Sequence, residues 1–426
     1  MPIMLARGAD FSPGREDAAV DVRDPAELFE CVRALPAAKP LLAHLDEGAG
    51  VHLTGGAVRD LLLGGAPFDL DLVVEGDASA FAAALGGEFK AHDRFGTSTV
   101  VLDGFAYDIV RARRETYARP GALPDVEPAR LDEDLRRRDF TVNAMAIALA
   151  GESPGKLSAV AHALEDLDAR RLRVLHDASF IDDPTRLFRL ARYASRLGFE
   201  IEPHTRALAI DAIDAGAVGT VSGSRLGAEL RLLARERDAV HALIGLRELG
   251  LDRPLHPGFG LYDEALARRA LALLAADARP DRLVLALASR GVPGRELPAL
   301  LDWLAFEAGD RQAIVAAATR AEELARALAG AESPSEIAAA AAGAPVELVA
   351  LAGALGPEGQ AREWLDHLRH VRLSIDGRDL LAAGVPEGPA IGRGLRAALA
   401  AKLDRRACDR RQELAEALRA AWSAPQ

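Results

Sequence analysis

Cysteine, lysine, methionine and aromatic side chains are all scarce in this 426-residue sequence. Its two cysteines, Cys31 and Cys408, stand almost at opposite ends, so neither a disulfide framework nor a cysteine-built zinc site is expected. A reducing compartment suits that usage. No apolar run approaches the ~18 residues that a membrane-spanning helix needs, and the N-terminal MPIMLARGADFSPGRED lacks the apolar centre of a secretory signal. A soluble, cytoplasmic protein is expected. Lysine is confined to Lys39, Lys90, Lys156 and Lys402, so nearly all of the 52 basic residues are arginine. Arginine suits bidentate phosphate contacts, although a GC-rich coding bias has the same effect. Against 64 acidic residues the net charge is −12. That excludes a surface basic all round, but not a local phosphate-binding stripe.

What is present is ample material for a core, with 50% hydrophobic residues, and a length that suggests roughly two to four domains. A polar lead and a short helix near Ala26 to Leu35 come first. From Val51 to about Ala150 strands and helices mix. VHLT reads as a strand meeting Gly55-Gly56, and a helix from Ala57 to Leu63 ends on Gly64-Gly65. FDLDLVVEG is the next strand, and TSTVVL and FAYDIV form a hairpin across Asp103-Gly104. A proline-containing loop from Arg119 to Asp134 leads into RRRDFTVNAMAIAL. After Glu165 the chain is helical, and Asp183 to Leu197 reads as a helix with Asp183 as N-cap, Pro184 at N1 and Gly198 as its stop.

Asp69 and Asp71 lie two apart on a strand and leave the same face, while Leu70, Leu72 and Val74 point to the core. Such a pair can bridge two Mg2+ ions ~3.5–4 Å apart, activating an attacking hydroxyl and stabilising a departing pyrophosphate. An isolated D-x-D is more often a pair of solvated acids, but this one has company. Gly55 and Gly56 open a helix whose free N–H groups can receive a triphosphate, and Arg59 and Asp60 follow on it. Asp108 shares a strand face with Ala106 and Val110, which fits a third metal-facing carboxylate and a surface acid equally well.

GGAVRD (Gly55 to Asp60), DLD (Asp69 to Asp71) and RRDFTVNA (Arg137 to Ala144) resemble, in order and spacing, the motifs of class II tRNA nucleotidyltransferases and the related bacterial poly(A) polymerases. The resemblance is strong over about residues 50–240 and looser in the tail. It implies an α+β chain: a small mixed-sheet nucleotidyltransferase head of the DNA polymerase β type, followed by an all-α neck, body and tail. On it, residues 1–46 are an N-terminal extension, 47–150 the head, 151–240 a base-selecting, RNA-binding neck, and 241–426 a tRNA-binding body and tail. It also implies template-independent addition to the tRNA 3′ end from CTP and ATP, with Mg2+ on Asp69 and Asp71.

IDDPTR (Ile181 to Arg186) resembles the family's protein template, usually Glu-Asp-x-x-Arg. A carboxylate accepts from the exocyclic amine of cytosine or adenine, and a guanidinium donates to the neighbouring ring acceptor. Uracil and guanine carry a carbonyl where the amine should be. Asp183 and Arg186 can therefore select C and A, while Asp182 stands where the family more often has Glu. Arg186, Arg189, Arg192 and Arg196 fall on one arc of the helix, while Leu187, Leu190, Ala194 and Leu197 fill a separate face toward the core. The arc is either a nucleotide and RNA contact, as the family implies, or a solvated charged face.

Arg138, Asp139 and Asn143 resemble the element that recognises ribose in the family, and a helix start capped by Asp139 is an equally good local reading. Arg113 and Glu115 match the family pattern too, through phosphate contact or structural pairing. SGSRLGAE (Ser222 to Glu229) resembles an element that steadies the neck. HALEDL (His162 to Leu167) keeps the end of the family's hinge and lacks its paired glycines. YARPGALP (Tyr117 to Pro124) has a form associated with relatives that add only part of the CCA end. In the tail, GRDL (Gly377 to Leu380) and GPAIG (Gly388 to Gly392) resemble a C-terminal element of many members. From Arg393 to Arg411, Arg393, Arg396, Lys402, Arg405, Arg406, Arg410 and Arg411 outnumber Asp404 and Asp409, which suits either an RNA stripe or a solvated helix.

The whole reads as a CCA-adding enzyme. An A-adding or CC-adding partial enzyme, a poly(A) polymerase and a catalytically inactive RNA-binding protein are the alternatives.

Overall fold

Leu70, Leu72 and Val74 are buried, as strand alternation requires, in a seven-stranded sheet. The computed structural model describes residues 24–45, 50–92 and 97–423, so most of the polar N-terminal lead lies outside the described residues. The chain divides into two units, residues 1–221 and 222–426.

In the first unit, α1 (Pro25–Arg33), capped by Asp24, and α2 (Ala38–Leu42) precede β1 (Val51–Thr54). Then come α3 (Gly56–Leu62), β2 (Leu70–Val74), α4 (Ala78–Ala84), β3 (Glu88–His92), β4 (Thr97–Leu102) and β5 (Phe105–Arg111). Asp103 and Gly104 both take positive φ, which gives the β4–β5 turn the twist of its strands. The stretch expected as an open loop is more ordered. β6 (Arg113–Thr116) pairs with β7 (Asp125–Pro128), and α5 (Leu131–Arg136) starts where Glu133 accepts from the Arg130 backbone N–H. Glu133 thus satisfies a backbone donor that has no partner within the helix.

After Asp139 the chain makes a 3-10 turn (Thr141–Asn143) and enters β8 (Met145–Ala148), not a long helix. The reason is burial: Met145, Ala146 and Ile147 are inaccessible within the sheet. β9 (Leu157–Ala159) completes the order β3-β4-β5-β2-β1-β8-β9. Among the described residues β2 and β5 form its parallel pair, and the other neighbours run antiparallel.

α6 (Ala163–Asp168), β10 (Arg171–Leu172), α7 (Ser179–Asp182), α8 (Thr185–Leu197), β11 (Glu200–Ile201) and α9 (Pro203–Asp214) follow. α8 begins at Thr185, later than the sequence suggests, but Asp183 still caps it by accepting from the Thr185 N–H at 3.1 Å. Gly198, at φ 64°, ends it.

The second unit is helical: α10 (Gly223–Ala234), α11 (Ala239–Glu248), α12 (Glu264–Leu273), α13 (Pro280–Ala288), α14 (Leu297–Trp303), α15 (Ala308–Ala329), α16 (Pro334–Ala340), α17 (Val346–Ala354), α18 (Glu358–Asp366), α19 (Gly377–Ala382), α20 (Pro389–Leu403) and α21 (Arg410–Trp422). α17 is apolar on nearly every face and is buried from Glu347 to Ala354, so the unit is built around it. A smaller cluster joins Leu380, Val385, Ala398, Ala417 and Ala421 in the tail. No helix among the described residues is long and apolar enough to cross a membrane.

Candidate active site

Parallel pairing of β2 with β5 sets Asp71 beside Asp108 in register, and Asp69 precedes β2 on the same face. Ala106 and Asp108 are exposed while Tyr107 and Ile109 are inaccessible, so Asp108 shares the carboxylate side. Thr99, opposite Asp108 on β4, donates to its Oδ1 at 2.7 Å. That partner was available from sequence, because a two-residue turn at Asp103-Gly104 fixes every cross-strand pair of the hairpin.

Asp71 reaches solvent, yet the surrounding protein walls it in. Desolvation first, then the charges of Asp108 and Asp69, push its carboxyl up to about 6 against the opposing pull of Arg138. Among the described residues none of the three carboxylates is in a recorded ion pair, and no group of three or more His, Cys, Asp or Glu is gathered to enclose a metal ion. The result is an open, negatively charged face that a bound cation would relieve.

Gly55 lies beside this face at φ 71°, and a Cβ there would come within 2.9 Å of Arg138 Nη1 and 3.8 Å of Asp71 Oδ2. Glycine is therefore required both for the backbone turn and for the approach of the guanidinium. Arg138 donates through Nη2 to the buried Asp134 at 3.0 Å, and its own buried Nε has no acceptor. At Gly56 the neighbour is Arg59, whose Nη2 would lie 3.3 Å from an added Cβ.

Arg59 is only 2% exposed and is committed locally. Its Nη1 donates to Asn143 Oδ1 and its Nε to Asp60 Oδ1. Asn143 Nδ2 donates in turn to Asp139 Oδ1 at 3.1 Å, and Arg189 Nε donates to Asp139 Oδ2 at 2.9 Å. Burial presses the Asp139 carboxyl upward, but Arg189, with help from Asn143, overrides it and holds the pKa down to about 2. Of the three residues resembling the ribose element, Arg138 thus lies beside the carboxylates, while Asp139 and Asn143 are engaged with Arg189 and Arg59.

Most of the arginine arc of α8 is not a solvated face, although Arg196 at its end is exposed. Arg186 and Arg192 are 5% and 6% exposed. The guanidiniums of Arg59, Arg189 and Arg192 lie 5.7, 5.5 and 4.7 Å from the centre of the Tyr193 ring, which also meets Phe140 edge-on. Tyr193 was missed in sequence, although its place one turn after Arg189 was the available signal.

Asp183 accepts from the Thr185 hydroxyl at 2.7 Å as well as from its N–H. Arg186 donates through Nη1 to Ser179 Oγ and through Nη2 to the Arg137 carbonyl, each at 2.7 Å. Arg113 pairs with Glu115 at 2.9 Å. In the YARPGALP loop, the Gly121 N–H donates to the Asp182 carbonyl at 3.2 Å, and a Cβ at Gly121 would collide with Thr220.

The tail stripe is partly neutralised from within. Lys402 is paired with the inaccessible Glu413, Arg406 with Asp404, and Arg410 with Asp379. Arg396, Arg405 and Arg411 stay exposed, with no ion pair recorded among the described residues.

A family model for the poly(A) polymerase head domain matches residues 51–173. A CC-adding tRNA nucleotidyltransferase of Deinococcus radiodurans is 38% identical over 348 residues, which cover 80% of this chain and 82% of that protein. This chain belongs to the tRNA nucleotidyltransferase family. Another member, the A-adding tRNA nucleotidyltransferase of Geobacter sulfurreducens, is 44% identical over 221 residues, 51% of this chain but 25% of the relative. The chain therefore spans only about a quarter of that relative's length. Among solved members of the tRNA nucleotidyltransferase family, a CCA-adding enzyme complexed with ATP superposes with a TM-score of 0.76 at 28% identity, covering 95% of this chain and 98% of the other.

Proposed function

We propose that the chain is a template-independent tRNA nucleotidyltransferase that builds or repairs the 3′-terminal CCA of tRNA from CTP and ATP, releasing pyrophosphate. The observation that carries this reading is the open face of Asp69, Asp71 and Asp108 beside Gly55 and Arg138, on a chain of this family. Divalent metal suits that face, because desolvation first, and then the charges of Asp108 and Asp69, raise the Asp71 pKa to about 6, and a cation would relieve both. Asp69 and Asp71 would hold it, with Asp108 alongside, and Mg2+ is the proposed ion. When bound, the metal would supply activation of the attacking hydroxyl and stabilisation of the leaving pyrophosphate.

The protein's own groups do the rest. Arg138 faces incoming negative charge near Gly55 and Gly56, with Arg113 as a further phosphate contact. Arg59, Arg189 and Arg192 stiffen the wall through Tyr193. Asp183 and Arg186 read the base edge, excluding uracil and guanine by opposed acceptors. The head, neck, body and tail division read from the motifs goes with this proposal, and the exposed tail arginines suit tRNA phosphate. Two free cysteines agree with a cytoplasmic setting.

A second reading is favoured by particular relatives, one named A-adding and one CC-adding: the chain adds only part of CCA. A product-length assay separates the two. Purified protein and Mg2+ are given tRNA ending before CCA, after C and after CC, with CTP and ATP singly and together. Three ordered additions that stop establish complete CCA synthesis. One A on the CC-ended substrate alone, or two Cs alone, establishes a partial enzyme. A long A ladder indicates a poly(A) polymerase, and no incorporation overturns the enzyme reading.

A further inference from the structure

Arg186 is a buried cation whose guanidinium touches no carboxylate among the described residues. Its direct partners are neutral oxygens, Ser179 Oγ and the Arg137 carbonyl. A guanidinium has five donors in a rigid fork, so the direction of the rest is set by where those two oxygens sit. Ser179 is inaccessible within α7. The Arg137 carbonyl is a main-chain atom just past the end of α5, where it needs external support.

That support comes from Arg137's own side chain. Nε and Nη2 donate to Asp134 Oδ1 at 2.9 and 2.8 Å, and Nη1 donates to Glu115 Oε1 at 2.9 Å. Glu115, its side chain 8% exposed, is itself fixed from two further sides. Arg113 Nη2 lies 2.9 Å from Oε1, and the Tyr117 hydroxyl donates to Oε2 at 3.2 Å. Burial pushes the Tyr117 phenol up to about 12, so it keeps the proton it donates. Asp134 also supports Arg138 and the Arg113 backbone. Glu115 is therefore the more selective handle on this chain of contacts.

We infer that Glu115 is a positioning residue for base selectivity, acting through Arg137, whose carbonyl aims the Arg186 guanidinium. This rests on the proposal that Arg186 reads the base. Neutralising Glu115 removes a charge-assisted hydrogen bond to Arg137 and also loosens Arg113, but a phosphate contact through Arg113 serves CTP and UTP alike and so leaves their ratio unchanged. Arg137 then keeps its Asp134 bonds but loses its second anchor, so its carbonyl is held less firmly and Arg186 loses its aim before it loses its charge.

The test compares kcat/KM for CTP and UTP on tRNA ending before CCA, in the full-length wild type, Arg186→Ala, Glu115→Gln and the double variant, with thermal melts of each. Glu115→Gln is expected to lower the CTP-over-UTP ratio by about tenfold, on the scale of one hydrogen bond to a charged group. In the Arg186→Ala background the same change is expected to alter the ratio no further, because both act through one guanidinium. Wild-type selectivity in Glu115→Gln while Arg186→Ala loses it, or full additivity in the double variant, overturns the inference alone. Wild-type selectivity in Arg186→Ala overturns the base-reading proposal itself. If Glu115→Gln does not fold, Tyr117→Phe, which removes only the hydroxyl donor to Glu115, is expected to shift the ratio in the same direction by less. An unshifted ratio there overturns the inference.

Discussion

Arg189 and Asp139 are 50 positions apart in sequence and are joined by a 2.9 Å Nε to Oδ2 hydrogen bond that ties α8 to the segment entering β8. Asp139 is 6% exposed and its pKa is held down to about 2. A depressed carboxylate contributes stability above its unfolded pKa of about 3.9 and loses it as pH falls through the folded value.

Asp139→Asn should therefore cost about 2–3 kcal/mol at neutral pH, on the strength of a shift of that size. The cost should shrink as the pH falls from about 4 to about 2. Urea midpoints across that range check it, and a deficit independent of pH would show that the charge is not responsible.

His162 takes φ 66°, a left-handed conformation at the start of α6, in the stretch that resembles the family's hinge without its paired glycines. Its exposed pairing with Glu165 contributes little. His162→Gly should raise stability by about 0.5–1 kcal/mol, since glycine removes the left-handed penalty and returns part of the gain as chain entropy. Denaturant titration measures it, and a lower midpoint would refute it.

Asp71→Asn should abolish most incorporation, by roughly a thousandfold, the order seen when one transition-state-stabilising group is removed. Without metal its melting temperature should stay level or rise, because a crowded negative charge has gone. In the wild type, divalent-cation affinity should increase as the pH rises through about 6, where Asp71 ionises. Calorimetry at several pH values reads that slope directly.

In the tail, Lys402 and the exposed arginines should separate cleanly. Lys402→Ala leaves buried Glu413 without its cation and should destabilise the protein by about 3 kcal/mol. Arg396→Ala and Arg411→Ala should leave stability unchanged and each reduce the salt dependence of tRNA binding by about one ion. Filter binding over a salt series, beside thermal melts, tells the two effects apart.

The strand alternation around Asp69 and Asp71, the Asp103-Gly104 hairpin and the Gly198 stop were legible in sequence because each obeys a local rule. The pairing of β6 with β7 was not, since Arg113 and Glu115 meet Pro128 and Val126 only after the chain has turned back through YARPGALP. The membership of Arg59, Asp139 and Asn143 in one region was also legible, from motif order. Their division of labour was not, because it depends on which carboxylate Arg189 and Arg138 each reach. The burial of Arg192 against Tyr193, and of Arg186 against Ser179 and the Arg137 carbonyl, likewise follows from tertiary packing, which a helical projection alone cannot supply.

The in-register parallel pairing of Asp71 with Asp108 carries an evolutionary consequence. Parallel neighbours are joined by a long crossover, so insertions or deletions in the turns on either side of α4 can alter that connection without shifting the two acids. A single-residue slip within β5 is another matter. It would turn Tyr107, inaccessible and hydrogen-bonded to the Ala37 carbonyl, out of the interior and put Asp108 in its place. The core thus acts as a proofreader for the register of the two acids: lineages can vary the turns of the crossover, while a frame error in the strand is eliminated as a folding failure.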